Sequence, residues 1–297
     1  LPIPYDAEHT YLPAAERFAR EGWSFFLTPD SYRVVPLAYL WPALWQSDSE
    51  LIRLANDGLW VACVWLLWDA ARQLGGQRAG AFAMILLAIN PDIYRYFPTE
   101  LTEPIFLFGL LLWTWSTLRL LGATSQSLVA ASALGLCITL LSRPVLQLMA
   151  PVMLLAAAAW WWRARSRAGG PAVPRALCLS LALGLLVPVA LLIKNGVMFG
   201  LWGLGTGSGA GLYLGTHPLF QGAEPAYLGF GFDINLFAQL AVGDADHLAL
   251  APDRAARMAG VWQLQSMSLG ESASFLLRKL WWWLAHHPVM VQSIGGT

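Results

Sequence analysis

Charge is what this sequence has least of. Only 12% of its 297 residues are Asp, Glu, Lys or Arg, against about a quarter in a soluble globular domain. So little charge argues against water as the only solvent around the fold. Eighteen basic residues balance eighteen acidic ones, so the chain lacks the basic footprint of a nucleic-acid binder. Cysteine is nearly absent. Cys63, Cys137 and Cys178 each lie inside an apolar run, a spacing that fits neither a disulfide framework nor a zinc site. The five histidines (His9, His217, His247, His286 and His287) are scattered, and no pair has metalloprotease spacing. No internal repeat is visible, which counts against the inverted-repeat design of secondary transporters. The chain begins at Leu1 and stops soon after a Trp-rich apolar run; we expect it to be a piece of a longer protein.

Apolar residues are abundant, at 57%, together with sixteen Trp, a residue that favours the membrane interface. A bilayer-crossing helix needs about 20 mostly apolar residues. The uncharged run 176–193 is the clearest candidate. The stretch 127–162 is apolar except at Arg143-Pro144 and predicts two helices joined by a turn, because Pro cannot continue a helix. Further spans are expected at 51–71, 79–97 and 103–121, and the start of another near 274. The segment 34–46 is too short to cross and contains two prolines; it reads as an interfacial helix. Arg72, Arg78, Arg119, Arg163, Arg165, Arg167 and Arg175 fall at alternate junctions. Positive charge marks the cytoplasmic side, which leaves residues 1–50, the turn 98–104, the Arg143 turn and a long segment at 196–273 on the outer side.

The expected fold is therefore an all-α polytopic membrane protein with about seven transmembrane helices. Its expected parts are a first external loop with interfacial helices (1–50), a six-helix region (51–195), a small external region (196–273) and a further helix beginning at 274. Ionisable groups at membrane depth are costly and are functional candidates by default. The outer side gathers Asp6, Glu8, Arg33, Asp57, Arg95, Glu100, Glu103, Arg143 and Lys194. Two carboxylates among several cations suit transfer chemistry on an anionic lipid. Arg would grip phosphate as a fork and Lys as a point charge. Taken singly, each charge also reads as an interfacial anchor. Glu103 before Pro104 also reads as a helix start.

Four stretches carry a resemblance. They are YDAEHTYLPAAERFAREG at 5–22, TPDSYRVVPLAYLWPALW at 28–45, INPDIYRYFPTELTEPIFLFGLLLW at 89–113 and IKNGVMFGLWGLGTGSGAGLYLGTHP at 193–218. In order and topology they resemble the GT-C membrane glycosyltransferases. The likeness is to glycosyltransferase family 39, which includes protein O-mannosyltransferases and aminoarabinose transferases. Asp6 stands where the family has its catalytic acid, Tyr11 at the aromatic and Gly22 at the closing glycine. The neighbour of Asp6 is Ala7 where Glu is commoner, and Glu8 follows. In the second stretch Pro36, Leu37 and Tyr39 match. Glu103 holds the acidic position of the third. In the fourth, Lys194, Asn195, Phe199, Gly200, Gly211, Tyr213, Gly215 and Pro218 match, with Thr216 where Asn is usual.

The resemblance implies an inverting transferase moving a sugar from a polyprenyl-phosphate donor to a protein, lipid or glycan acceptor. The implied setting is the outer face of a bacterial plasma membrane. It implies Asp6 as general base, with Glu8 and Glu103 the other acidic candidates. Arg143 and Lys194 would hold the leaving phosphate, with Arg33, Arg95 and Tyr213 as further donor contacts. It implies no cofactor and no required metal, although some relatives use one. The rival readings are a polytopic O-antigen polymerase or ligase, a transporter, and a structural membrane subunit.

Overall fold

The computed structural model describes residues 3–4, 6–143, 146–147, 149–164, 172–200, 202–217 and 250–286, with side chains up to Trp281. Pro218, His247, Arg165, Arg167 and most of the expected external region lie outside the described residues. The described residues contain helices and turns and no strand. The chain divides into two compact units, Leu1–Leu204 and Gly205–Thr297.

The first unit opens with a π-turn, Ala7–Tyr11, that runs into α1, Leu12–Glu21. Two 3-10 turns, Gly22–Leu27 and Pro29–Tyr32, lead to α2, Pro36–Leu44. A cluster of Ala15, Phe25, Val34, Ala38 and Tyr39 packs this segment onto itself. Helix α2 is nine residues long, far too short to cross a bilayer.

Then follow α3 (Ser49–Ala88), α4 (Pro91–Tyr94), α5 (Glu103–Gly122), α6 (Gln126–Ser142), α7 (Met149–Ala164) and α8 (Ala172–Phe199). Among the described residues three helices, α3, α5 and α8, are long and apolar enough to cross a membrane. This is what an all-α membrane protein requires. The sides of α8 expose Leu183, Leu186, Val187, Val189 and Ile193, an apolar surface that suits lipid far better than water. Helices α6 and α7 have 17 and 16 residues, α6 ending at Ser142 and α7 beginning at Met149.

Helix α3 is two helices in one. Gly76 has φ 78° and ψ −174°, a conformation that glycine alone adopts freely. The chain reverses there, and the returning piece lies close on the first. A Cβ added at Gly80 would stand 2.9 Å from the Trp68 carbonyl oxygen. The expected span 79–97 is corrected: helix stops at Ala88, because the Asn90 side chain caps Ile93 N and starts the short helix α4 at Pro91.

Glycine also sets the closest helix contact. Helices α5 and α6 run antiparallel. A Cβ at Gly135 would lie 2.5 Å from Trp113 N, and one at Gly109 would lie 2.9 Å from Thr139 N. Small residues permit such backbone approach in membrane bundles. The Thr117 and Ser132 hydroxyls bond at 3.1 Å across the same seam. Gly184 of α8 packs on the Ala133 carbonyl oxygen from the other side. Beyond this seam Leu136, Leu140, Leu181 and Leu185 form the main apolar cluster.

At the far end of α3 and α5, Asp69 is 2% exposed. It accepts from Arg72, Arg119 and the Trp115 indole. Arg72 and Arg119 thus share one end of the bundle, as the positive-charge pattern requires.

The second unit contains α9 (Ser208–Thr216), α10 (Leu250–Ser266) and α11 (Leu269–His286).

The glycine seam makes a direct prediction. Gly135→Val must push α5 and α6 apart and should cost about 1–3 kcal/mol or more, the usual range for overpacking. A Cβ on Gly58, equally helical, meets nothing within 4 Å, so Gly58→Ala should be neutral or stabilising by up to about 1 kcal/mol. Thermal unfolding in detergent separates the two. Equal melting temperatures would refute the seam.

Candidate functional site

The site begins from the α5–α6 register. Glu103 is the first residue of α5 and Arg143 the C-cap of α6. The antiparallel seam brings these two ends together. Arg143 Nη2 donates to Glu103 Oε1 at 2.5 Å. Each sits where its helix dipole favours it, the acid at an N-terminus and the base at a C-terminus. Both side chains keep partial exposure, 44% for Arg143 and 27% for Glu103. A guanidinium has five N–H donors, so Arg143 can hold Glu103 and still face an anion.

The N-terminal segment lies over this pair. Tyr11 is largely buried, with Asp6, Glu103 and Arg143 near enough to act on it electrostatically and the Thr102 hydroxyl bonded to its phenol. Burial first, then the negative charges of Asp6 and Glu103, push the Tyr11 phenol up to about 12. It therefore remains a neutral hydroxyl at any physiological pH. Asp6 is exposed, and its side chain makes no capping bond to the turn that follows. Three charged residues from three parts of the chain (6–11, the start of α5 and the end of α6) thus lie within electrostatic reach of Tyr11.

Further contacts hold the segment there. The Trp41 indole donates to Asn56 Oδ1 at 3.0 Å, and Asn56 Nδ2 donates to the Thr99 carbonyl at 2.7 Å. Asn56 is fully buried. Lys194 Nζ donates to the Phe26 carbonyl at 2.9 Å and to Ser31 Oγ at 3.4 Å. The same ammonium lies 5.7 Å from the Phe26 ring and 5.4 Å from the Phe199 ring, within cation–π range. Tyr32 stacks on Phe199 at 5.8 Å. The segment is pinned to α3, to the 98–103 turn and to α8.

The expected site residues therefore separate. Asp6, Glu103 and Arg143 share one cluster with Tyr11. Glu8 is exposed on the Ala7–Tyr11 turn. Arg33 stands half-buried between the Pro29–Tyr32 turn and α2, its backbone N–H on the Asp30 carbonyl. Arg95 ends α4, donates to the Tyr96 hydroxyl at 2.9 Å and lies over that ring. Lys194 is engaged with Phe26 and Ser31. Tyr213 belongs to the second unit, its ring 5.4 Å from that of His217. Among the described residues no group of three or more His, Cys, Asp or Glu could hold a metal.

The sequence reading missed one residue, and the partner of another that it had included among the outer-side charges. Thr102 contributes the hydroxyl beside Tyr11; its signals were its place in the 98–104 turn and in the 89–113 stretch of the resemblance. Glu100 is 2% exposed and pairs with Arg53 at 2.8 Å, forming a buried brace between the turn and α3. Comparison with protein-family models, curated proteins and solved structures finds no match.

Tyr11 gives an alkaline signature. The folded protein keeps the phenol proton to about pH 12, whereas an unfolded chain releases it near 10. The stabilising contribution is thus complete below pH 10 and is lost as pH rises toward 12, amounting to about 2–3 kcal/mol. Tyr39, also raised by burial, adds in the same sense, so the reading is a difference. Unfolding in detergent at pH 9 and pH 11.5 should show a steeper stability loss for wild type than for Tyr11→Phe. Identical slopes would place Tyr11 in an ordinary environment.

Proposed function

We propose that this chain is part of an inverting glycosyltransferase of the GT-C kind. On this reading it spans the membrane about seven times and transfers a sugar from a polyprenyl-phosphate donor on the extracytoplasmic face of a bacterial plasma membrane. The observation that carries the reading is the convergence of Asp6, Tyr11, Glu103 and Arg143 at one end of the α5–α6 pair. The resemblance had given three of these four residues a role in the reaction, and had matched Tyr11 as its motif's aromatic.

In the proposed reaction the acceptor hydroxyl or amine attacks the anomeric carbon. The bond from that carbon to the phosphate oxygen breaks, and the configuration inverts in a single displacement. The phosphate is already a good leaving group, so the step needs a base more than an acid. Asp6 takes the acceptor proton. It is the exposed carboxylate, whereas Glu103 is engaged by Arg143. The outward N–H groups of Arg143 receive the phosphate that leaves, as a charge-assisted fork. Tyr11, a neutral hydroxyl between them, can hydrogen-bond sugar or acceptor without adding charge. Lys194 acts chiefly by fixing residues 26–31 in place. Asn56, Trp41 and the Arg53–Glu100 pair keep the cluster's floor rigid.

Transfer from a polyprenyl-phosphate sugar into acceptor, measured with the full-length protein in membranes, tests this. Asp6→Asn should lower kcat by about 10²–10⁴-fold, the usual contribution of a general base, with expression unchanged. Glu8→Gln should stay within about twofold, as a solvated surface acid would. Arg143→Gln should lower kcat/KM by about 10–100-fold, the worth of one charged hydrogen bond. An unchanged rate in Asp6→Asn would move the base to another carboxylate. Absence of transfer from every lipid-linked sugar by the wild type would remove the proposal altogether.

A further inference from the structure

The second unit holds a cavity of about 430 Å³ where the end of α9 meets α10 and α11. That volume lies within the range of small-molecule sites. Its frame is closely packed. Gly209 N donates to Asp253 Oδ1 at 2.7 Å, and a Cβ on Gly209 would fall 1.9 Å from the Asp253 carbonyl oxygen, so only glycine fits there. Seven residues on, Thr216 Oγ1 donates to Gln263 Oε1 at 2.7 Å. Between these, Gly260 of α10 lies against Leu212. Helix α9 is thus locked onto α10 at both ends, which fixes His217 beside Gln263 at the cavity wall.

The third wall is α11, and it brings cations. Lys279 lies over the Phe275 ring at 5.0 Å, and its Nζ would be 3.3 Å from a Cβ on Gly215. A larger residue at 215 would crowd the ammonium. Arg278 lines the same space. The one acid there, Glu271, is turned to other use: its carboxylate accepts from Ser268 N at 2.8 Å and its own N–H donates to Ser268 Oγ at 3.3 Å, the reciprocal bonding of a capping box. Two cations against one committed carboxylate leave a positive surplus. Burial lowers the His217 imidazole, so at neutral pH it is an uncharged hydrogen-bonding group. Trp262 and Phe275 supply an apolar wall.

A fork, a point charge and neutral donors around one space suit the several oxygens of a phosphate better than a single carboxylate. The apolar wall suits a chain or ring attached to that phosphate. We propose that this cavity binds a phosphate ester through Arg278 and Lys279, with its organic part against Trp262 and Phe275. The site does not depend on the chemistry assigned to Asp6.

Isothermal titration of the full chain in detergent, with decyl phosphate and with inorganic phosphate as separate probes, tests it. Wild type should bind, and the double variant Arg278→Gln/Lys279→Gln should bind at least tenfold more weakly. Glu271→Gln keeps the cap and removes the opposing charge, so its affinity should rise about threefold; this arm stands even if the double variant fails to fold. Decyl phosphate binding at least tenfold tighter than inorganic phosphate supports the site with a lipid-linked ester as its ligand, and equal affinities support it with a free phosphate. Binding that the double variant weakens stands whether or not Asp6→Asn loses transfer, so failure here and failure of the transferase reading are separate results. Binding unaltered by the double variant, or absent in wild type for both probes, overturns the proposal.

Discussion

The close approach of α5 and α6 is the constraint on which the Glu103–Arg143 end of the first unit depends. Two helices can touch backbone to backbone only where side chains are missing, and here Gly109 and Gly135 supply the gaps. That contact fixes rotation and register together. Once Gly135 stands at Trp113, Thr117 must face Ser132 and Glu103 must face Arg143. The ion pair is therefore a consequence of the seam. An exposed pair of this kind is worth at most about 1 kcal/mol by itself and could not hold two helices in register. The glycines hold the helices, and the charges take the positions left to them.

The same economy governs the other charges of the bundle. Arg53 and Asp69 are 16 residues apart on α3, which is about 24 Å along a helix. Glu103 and Arg119 have the same separation on α5. Arg53 is paired with Glu100 just before α5, and Asp69 with Arg119 near its end. The space between the two braces is filled by Cys63, Leu87 and Phe97 with Trp60, Leu107 and Phe108. Burying a charge is costly unless it is paired and hydrogen-bonded; Asp69 is both, accepting from Arg72, Arg119 and Trp115, and Glu100 is paired with Arg53. The separation approaches the thickness of a bilayer's hydrocarbon core, about 30 Å. An apolar middle with a charged brace at either end is what a pair of helices in lipid would need.

How much of this was legible in the sequence varied with the range of the interaction. Local signals read well. The end of a helix just before Arg143 and the single apolar run at 176–193 depend on neighbouring residues, and both appear as expected. The span at 79–97 failed for an equally local reason, since Asn90 ahead of Pro91 caps a new helix, and that signal was present and overlooked. Long-range partners were invisible. Lys194 read as a phosphate ligand because it is a cation at an outer helix end. Nothing near it in sequence shows that the Phe26 carbonyl, 168 residues away, accepts its hydrogen bond. Thr102 and Glu100 gained their surroundings only when α3, α5 and the N-terminal segment came together. Asp6, Glu103 and Arg143 were picked out, but their assembly around Tyr11 follows from the glycine seam, which sequence periodicity does not display.

That assembly divides labour between two acids that composition alone would treat as equals. Glu103 is tied to Arg143 and to the start of a helix, so its negative charge is already used. Asp6 caps nothing and stays exposed. Between them Tyr11 resists ionisation, because each added negative charge raises its cost of losing a proton. A neutral hydroxyl flanked by one committed and one uncommitted carboxylate keeps the local charge low while leaving a single group free to accept a proton. If the acids exchanged environments, the base would be held by an arginine that the proposed reaction needs for its phosphate. The register of α5 on α6 prevents that exchange, since Arg143 can reach the first residue of α5 only because the helices cannot slide. In the proposed mechanism the choice of base is thus made by helix packing, at two glycines that never touch a substrate.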